Sequence, residues 1–309
     1  MDYTAFLETV KQALMQKLGE GQDLLIRPVP KNNGVILDGL SIHSQDSPLA
    51  PTVYLNPYYQ QFKEGMPIED ICEDILGLFS ENPEPNKVTE KMLADFSQMK
   101  TKVMMRLVHT DSNSEFLQDV PHIPYLDLSI IFHLFLERNA FGQMTVLIHN
   151  DLLKQWKVDE QALLRLALKN TPAAYPPQIK SMSDVMKDIA RHNLGDGYDE
   201  ELLDQLLGQN EDNPPLYVLS NQAGIYGACC ILYRNILKNF ADSLESDLIV
   251  IPSSIHEVLL TPYGGGLSYD YLNSMVTGIN HSEVPAEDQL SDHVYLYTRT
   301  DDRIHIIRA

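Results

Sequence analysis

Apolar residues recur every three or four positions along much of the chain, which predicts amphipathic helices with one buried stripe each. The first covers residues 3–18 and ends before Gly19 and Gly21, and another begins after Pro67 and covers residues 68–79. The same spacing predicts helices over residues 151–155, 159–169, 183–190, 199–207, 226–244 and 268–279. Each stripe needs a surface to cover it, so these helices are expected to pack on sheets.

Short runs of apolar and β-branched residues between the helices predict strands. The clearest pair covers residues 24–30 and 34–43 and is joined by a turn at Asn33-Gly34, because an Asn-Gly step readily adopts positive φ values. Further strands are predicted over residues 52–55, 102–109, 126–136, 143–147, 216–219, 248–251, 294–298 and 304–307. The last two would form an antiparallel hairpin, and residues 216–251 would form a right-handed crossover if their two strands are parallel in one sheet.

Strands mixed with clusters of helices indicate an α+β fold, with amphipathic helices packed on mixed or antiparallel sheets. Residues 81–87 combine prolines with charged residues, a composition typical of linkers. They would divide the chain into an N-terminal lobe of residues 1–80, made of helix, hairpin and helix, and a larger α+β domain of residues 88–309. The pattern leaves open whether the chain forms these two lobes or one domain.

Acidic residues strongly outnumber basic ones: 43 Asp and Glu against 23 Lys and Arg give a formal net charge of −20. Such a chain is repelled by phosphate backbones and by anionic lipid surfaces, and no run rich in lysine or arginine offers a local exception. The charge therefore argues against a nucleic-acid or membrane partner. It fits a soluble cytosolic protein, or one that docks on a basic partner.

The cysteines and the hydrophobic runs predict the compartment. Of the three cysteines, Cys229 and Cys230 are adjacent, and the set offers neither a disulfide framework nor a Cys-x-x-Cys site. The N-terminus lacks the features of a signal peptide, and the most hydrophobic stretch, residues 126–136, is too short to span a bilayer and is interrupted by Asp127 and His133. These features predict a cytoplasmic protein. No phosphate loop or metal-ligand spacing is complete, so neither a cofactor nor a metal is predicted.

Four segments, taken together and in order, carry a family resemblance: residues 31–40 (KNNGVILDGL), 53–59 (VYLNPYY), 217–222 (YVLSNQ) with YGA at 226–228, and 252–258 (PSSIHEV). In this combination the chain resembles a family of uncharacterised bacterial proteins, a domain of unknown function common in gut-dwelling Gram-positive anaerobes. The resemblance runs over nearly the whole chain and implies a bacterial cytosolic protein. It carries over no catalytic residue.

The segment of residues 248–262 places reactive side chains between two apolar, strand-like runs: Ser253, Ser254, His256 and Glu257. Side chains at the ends of strands often build functional sites. A zinc site of the His-Glu-x-x-His type is not supported, because Leu260 stands where the second histidine is needed.

Two interpretations of this segment remain open. In the first, Ser254 is the nucleophile of a hydrolase and takes its base from His256, His281 or His293, although the Gly-x-Ser-x-Gly turn that often presents such a serine is missing. In the second, the two serines cap a turn, while His256 and Glu257 satisfy buried backbone groups. Alternation along a strand would also point His256 and Glu257 to opposite faces, which argues against a direct dyad.

Two functional hypotheses follow. The first is a cytosolic binding or regulatory protein without catalytic chemistry, whose acidic surface engages a protein partner. The competing hypothesis is a hydrolase with its site around Ser253, Ser254, His256 and Glu257. A pocket that holds Ser254 within hydrogen-bond reach of a histidine would favour the hydrolase, whereas a bond between His256 and the backbone would favour the binding protein. The substrate, the partner and the oligomeric state are left open by the sequence.

Overall fold

The structure, a computed structural model, describes residues 1–18, 23–43, 52–81, 89–139, 142–194, 215–252, 254–264 and 269–307. The chain divides into two compact units. The first unit consists of Met1–Lys102 and Phe135–Val146, and the second unit consists of Val103–Leu134 and Leu147–Ala309. The predicted linker at residues 81–87 lies almost entirely outside the described residues, and the predicted lobes of residues 1–80 and 88–309 stay a prediction.

The first unit contains helices packed on a three-stranded sheet. Strands β1 (Asp23–Pro30), β2 (Ile36–His43) and β3 (Thr52–Tyr54) are antiparallel in the order β1-β2-β3. Asn33 and Gly34 have φ values of 58° and 70° between the first two strands, which confirms the predicted turn. The helices are α1 (Tyr3–Leu18), α2 (Leu55–Lys63), α3 (Ile68–Glu81), α4 (Glu90–Ala94) and α5 (Phe96–Met99).

The core of the first unit confirms the predicted helical stripes. Phe6, Val10 and Leu14 on α1 are fully buried. Ile71 and Ile75 on α3 are equally buried and belong to the same cluster. Burying a side chain of this size stabilises a fold by roughly 1.5–3 kcal/mol. The burial of these two stripes is therefore a main source of stability for α1 and α3.

A long strand, β6 (Leu128–Asn139), is the centre of a second sheet. Strands β4 (Val103–His109) and β5 (His122–Tyr125) pair with it on either side, both antiparallel, and β7 (Gly142–Leu147) also pairs with it. The predictions for β4, β6 and β7 are confirmed. Strand β5 was not predicted, because four residues that include a proline show no alternating pattern.

The second unit contains a six-stranded sheet in the order β13-β12-β10-β11-β9-β8, with every neighbouring pair antiparallel. Because β11 lies between β9 and β10, those two strands point the same way without being paired, so the predicted crossover skips one strand. The hairpin of β12 and β13 is confirmed. The strands are β8 (Pro177–Ser181), β9 (Tyr217–Asn221), β10 (Leu248–Ile251), β11 (Val258–Pro262), β12 (Tyr295–Thr298) and β13 (Arg303–Ile306).

The prediction of one long helix over residues 226–244 is wrong. A 3₁₀ helix, Gly227–Leu232, is followed by extended backbone at Tyr233 and by Asn235 with a φ of 63°, and only then does α9 (Ile236–Ser243) begin. The residues of the 3₁₀ helix are buried almost throughout, not along one stripe. A segment enclosed on all sides has no amphipathic face to favour a continuous α-helix, and its contacts with β4 and β9 determine its path.

The remaining helices confirm the α+β fold. They are α6 (Asn150–Trp156), α7 (Glu160–Ala174), α8 (Met182–Leu194) and α10 (Tyr269–Glu283), each at a predicted position. The predicted helix over residues 199–207 lies outside the described residues, as do Gly19 and Gly21. Within the described stretches, we find no helix with the length and apolar character needed to cross a bilayer.

Candidate functional site around His256

The connection between β10 and β11 forms the candidate site. Strand β10 ends at Ile251 and β11 begins at Val258, so the polar residues lie between two antiparallel strands. Ser254 is buried and forms an isolated β-bridge with Gln289, which ties the connection to the segment that follows α10. Ser253 lies outside the described residues.

The hydroxyl of Ser254 stabilises this connection. Its Oγ accepts a hydrogen bond from the backbone N–H of His256 at 3.0 Å. The backbone carbonyl of His256 in turn accepts a hydrogen bond from Oγ of Ser220 at 2.8 Å. The backbone of His256 is therefore held from both sides by serine hydroxyls, and the Ser254 contact has the geometry of a serine turn cap.

The His256 ring binds two groups that the sequence did not point to. Its Nδ1 accepts a hydrogen bond from the backbone N–H of Tyr226 at 3.3 Å, and its Nε2 lies 3.2 Å from Oδ1 of Asp288. The neutral ring therefore carries its proton on Nε2. The hydrogen bond to Asp288 raises the pKa of His256 above its ordinary value, although burial acts in the opposite direction.

Glu257 sits beside this pair in a partly buried position. Burial raises the pKa of its carboxyl group, and the positive charge of His256 and the Ser254 hydroxyl offset only part of that effect. Asp288 contributes to the same upward direction through its negative charge. The structure thus brings Ser254, His256 and Glu257 together with Asp288.

The raised pKa of His256 predicts a pH-dependent contribution to stability. Protonation strengthens the pair with Asp288, so this contribution is fully present below the pKa of about 6.5 in the unfolded chain and is lost as pH rises through the higher folded value. We expect the wild type to exceed His256→Gln in free energy of unfolding by more at pH 6 than at pH 9. Urea titrations monitored by Trp156, the single tryptophan and a buried residue of the second unit, measure this difference.

Glu257 is present in both proteins, so most of its own titration cancels in this comparison, and only its charge coupling to His256 is counted with the histidine. Asp288→Asn should abolish most of the pH dependence. A difference that is larger at pH 9 would contradict the prediction, and would mean that the N–H of Tyr226 at Nδ1 keeps the ring neutral.

The Tyr226 ring contacts His256 and also Arg106 and His133, which lie on β4 and β6. It stacks on the His256 ring with 6.0 Å between centroids and an interplanar angle of 11°. The guanidinium carbon of Arg106 lies 4.7 Å from the centroid of the Tyr226 ring, a cation–π contact, and the His133 ring meets it edge-on at 5.6 Å. Tyr226 itself has a φ of 54°, a conformation that non-glycine residues rarely adopt.

His133 and Arg106 contribute buried polar atoms that have no hydrogen-bond partner among the described residues: Nδ1 and Nε2 of His133 and Nε of Arg106. Leaving such an atom unpaired costs about 1–3 kcal/mol. Burial, assisted by the charge of Arg106, lowers the pKa of His133 to about 3, so its ring is neutral at physiological pH. The interruption of the apolar run 126–136 by His133 was the one sequence signal for this group.

His293 belongs to a different cluster, centred on Asp127. Nδ1 of His293 lies 2.9 Å from Oδ2 of Asp127, which also accepts a hydrogen bond from Oγ of Ser291 at 2.7 Å. The hydroxyl of Tyr295 donates to Oδ1 of the same carboxylate. Burial would raise the pKa of Asp127, but these hydrogen bonds outweigh it and lower the pKa. The side chain of His281 lies outside the described part of the chain.

The cysteines are held as unreactive thiols. Burial raises the pKa of Cys229 to about 12 and also raises the pKa of Cys230, so both stay protonated at neutral pH. Among the residues that the structure describes, no three His, Cys, Asp or Glu side chains are grouped to hold a metal ion.

These features define an α+β protein with a hydrogen-bonded polar cluster in the connection between two central strands of an antiparallel sheet. Comparison with protein families matches residues 3–299 to a family of unknown function, DUF5688, and the chain belongs to this family. This match confirms the predicted resemblance to a domain of unknown function. No curated protein and no solved structure matches the chain.

Proposed function

We propose that this protein is a binding or regulatory protein without catalytic chemistry of its own. One observation carries the proposal: the side chains of Ser254 and His256, within the described part of the candidate site, are engaged in structural hydrogen bonds. Oγ of Ser254 accepts a hydrogen bond from the N–H of His256. Nδ1 of His256 accepts a hydrogen bond from the N–H of Tyr226, and its Nε2 is within hydrogen-bond distance of the Asp288 carboxylate. A nucleophilic serine needs a base that can take its proton, and the His256 ring is directed to other partners.

The proposed partner is a basic protein in the bacterial cytoplasm. The net charge of −20 favours association with a positively charged surface, and the free thiols Cys72, Cys229 and Cys230 fit a reducing compartment. The outer face of α3 is the contact surface that we propose. The acidic side chains described on this helix are exposed: Glu69, Asp70, Glu73 and Asp74.

Two of these four acids already have partners within the first unit. Glu73 lies 3.3 Å from Nζ of Lys17, and Asp74 accepts a hydrogen bond from the hydroxyl of Tyr58. Glu69 and Asp70 form no ion pair with another described residue, and their charges are therefore available to a partner. Their position in the first turn of α3 also stabilises that helix, so a test has to separate the two roles.

The hydrolase hypothesis is tested at Ser254. We expect the wild type to release no 4-nitrophenol from 4-nitrophenyl acetate above the rate of heat-denatured protein, and to cleave no casein-derived peptides. We also expect no fluorophosphonate labelling of Ser253 or Ser254 in tryptic peptides. Labelling of either serine, or a hydrolytic activity that Ser254→Ala removes without changing urea stability by more than the roughly 1 kcal/mol of one hydrogen bond, would establish the hydrolase instead.

The partner proposal is tested by charge. The full chain is immobilised, incubated with lysate of the bacterium that encodes it, and the retained proteins are quantified by mass spectrometry. We expect the double variant Glu69→Gln/Asp70→Asn to lose at least one basic protein that the wild type retains, because two uncompensated charges are removed from the contact surface. Retention should also fall as salt is raised, since exposed charges are screened over about 8–10 Å.

The matched control is Asp151→Asn/Glu160→Gln. These two acids also lie in the first turns of helices, α6 and α7, so the control removes the same charge and a similar helix-end stabilisation. Asp151 also pairs with Lys154 at 3.0 Å, but this pair is highly exposed and adds little stability. It should retain the protein that the α3 variant loses. Identical retention by the wild type and both variants would show that the acidic face of α3 is not the contact surface.

A further inference from the structure

A cavity of about 330 Å³ lies in the second unit, where β5 and the β12–β13 hairpin face the beginning of α9. We propose that this cavity binds a small organic anion, with an oxyanion head group on an apolar body. The site is independent of the α3 surface and of the His256 connection, since it shares no residue with either. Its volume is at the lower end of the roughly 300–1,000 Å³ usual for ligand pockets.

Two cations line this cavity in a chain that is otherwise strongly acidic: Lys238 and Arg303. Arg303 forms no side-chain ion pair with another described residue. Lys238 is held only loosely, because its Nζ is 3.9 Å from Oδ2 of Asp242, and Asp242 has a closer partner in Nε of Arg299 at 3.1 Å. Both cations can therefore turn to a bound anion without breaking a strong pair.

The one carboxylate in the lining, Asp302, is already engaged. Its Oδ1 accepts a hydrogen bond from the hydroxyl of Tyr297 at 2.6 Å. That donor partly satisfies the carboxylate and fixes its direction. The charged lining thus has two cations and one carboxylate, which favours a ligand with negative charge.

Neutral donors also reach this cavity. Tyr125 lines it, and its hydroxyl makes no hydrogen bond to another described residue, so the O–H is available to an acceptor on a ligand. Helix α9 begins here at Asn235, whose side chain does not cap the helix. The N–H groups of the first turn, at Leu237 and Lys238, consequently lack the side-chain partner that a capped helix would supply. These donors add to the two cations.

The apolar part of the lining favours a ligand with an apolar body. Ile231, Leu237 and Ile304 supply aliphatic surface next to the donors. Inorganic phosphate alone would leave this surface in contact with water. An aromatic or aliphatic carboxylate or phosphate ester would cover it and place its oxygens near Lys238 and Arg303, so both halves of the cavity would be used.

The test is isothermal titration calorimetry of the full chain at low ionic strength with three probes: benzoate, phenyl phosphate and benzamide. We expect saturable binding of benzoate or phenyl phosphate, and binding of the uncharged benzamide at least about tenfold weaker, because a charge-assisted contact is worth roughly this factor or more. Tighter binding of phenyl phosphate would identify a phosphate head group, and tighter binding of benzoate a carboxylate.

Variants locate the binding. Lys238→Gln and Arg303→Gln should each weaken anion binding about tenfold, and Tyr125→Phe should weaken it several-fold. The matched controls are Arg165→Gln and Lys169→Gln, which remove equal charge from exposed positions on α7 in the same unit and should leave binding unchanged. Thermal melting verifies that each variant is folded.

Three results would overturn the proposal. They are equal binding of benzamide and benzoate, no binding of either anion at 10 mM probe, and an equal loss of binding in the α7 controls. Equal binding of benzamide and benzoate would mean that the cavity is only an apolar cleft. No binding of either anion would mean that it is not an anion site. An equal loss in the α7 controls would mean that net charge, not this cavity, attracts the probe.

Discussion

Replacing Gly227 with alanine should destabilise the second unit by about 3–5 kcal/mol, because the added methyl group would overlap fixed backbone atoms. A Cβ atom at this position would lie 2.4 Å from the carbonyl oxygen of His256 and 2.8 Å from the backbone nitrogen of Asn221. It would also lie 2.2 Å from Oγ of Ser220. Two of the three obstacles are backbone atoms, so no side-chain rotation relieves the clash. Urea unfolding monitored by Trp156 fluorescence measures the loss.

The matched control for Gly227 is Gly278, an exposed glycine in α10 of the same unit. A Cβ atom there would meet nothing within 4 Å. Because alanine has the higher helix propensity, Gly278→Ala should stabilise the unit by up to about 1 kcal/mol. Equal stability of Gly227→Ala and the wild type would show that the 3₁₀ helix can shift away from β9 and the His256 connection, and would refute the close packing described above.

Replacing Asp127 with alanine should cost about 3 kcal/mol or more. The carboxylate accepts hydrogen bonds from Ser291, His293 and Tyr295, and it joins the turn before β6 to the strand β12 of the six-stranded sheet. Tyr295 is fully buried, so removing its acceptor leaves a buried hydroxyl without a partner. The lost bond to the buried Ser291 adds to this cost, whereas the bond to His293 is exposed and counts for less. The measurement is again urea unfolding with Trp156 as the reporter.

Asp119→Ala is the control for Asp127→Ala. Asp119 also pairs with a histidine, His149, at 3.1 Å, but its side chain is 79% exposed, so the loss should stay below about 1 kcal/mol. The lowered pKa of Asp127 adds a second readout. The ionised Asp127 carboxylate stabilises the fold above the pKa of about 3.9 that aspartate has in the unfolded chain. This stabilisation is lost as pH falls through the lower pKa of Asp127 in the folded chain. If Asp127→Ala and Asp119→Ala lost equal free energy of unfolding at pH 7, the prediction would be wrong and the Asp127 hydrogen bonds would not stabilise the fold.

The elements that the sequence predicted are those fixed by local patterns. Helices α1 and α3 each have an apolar stripe along one face, and the turn at Asn33-Gly34 depends on two adjacent residues. Strands β5 and β8 were missed, because they are short and owe their extended form to pairing with β6 and β9. The prediction of one helix over residues 226–244 was wrong for a different reason. Its apolar residues fit a helical period, but the 3₁₀ segment within it is buried on every side.

The candidate site was predictable only in part, for a related reason. Ser254, His256 and Glu257 lie within four residues, and their proximity is visible in the sequence. Their partners are distant along the chain, since Asp288 is 32 residues from His256 and Tyr226 is 30 residues from it. No motif joins these positions. The side chain that a histidine binds depends on the arrangement of the strands, and this arrangement was known only from the structure.

The order of strands in the six-stranded sheet has a consequence for synthesis on the ribosome. The pairs β10–β11 and β12–β13 join strands that are close along the chain, whereas β9 reaches its partner β11 only after α9 and β10 have been made. Pairing between near neighbours closes small loops and is fast, but pairing across a helix closes larger loops at a greater entropic cost. Strands β8 and β9 emerge first and can pair with each other, but the other edge of β9 is open to other chains until β11 arrives.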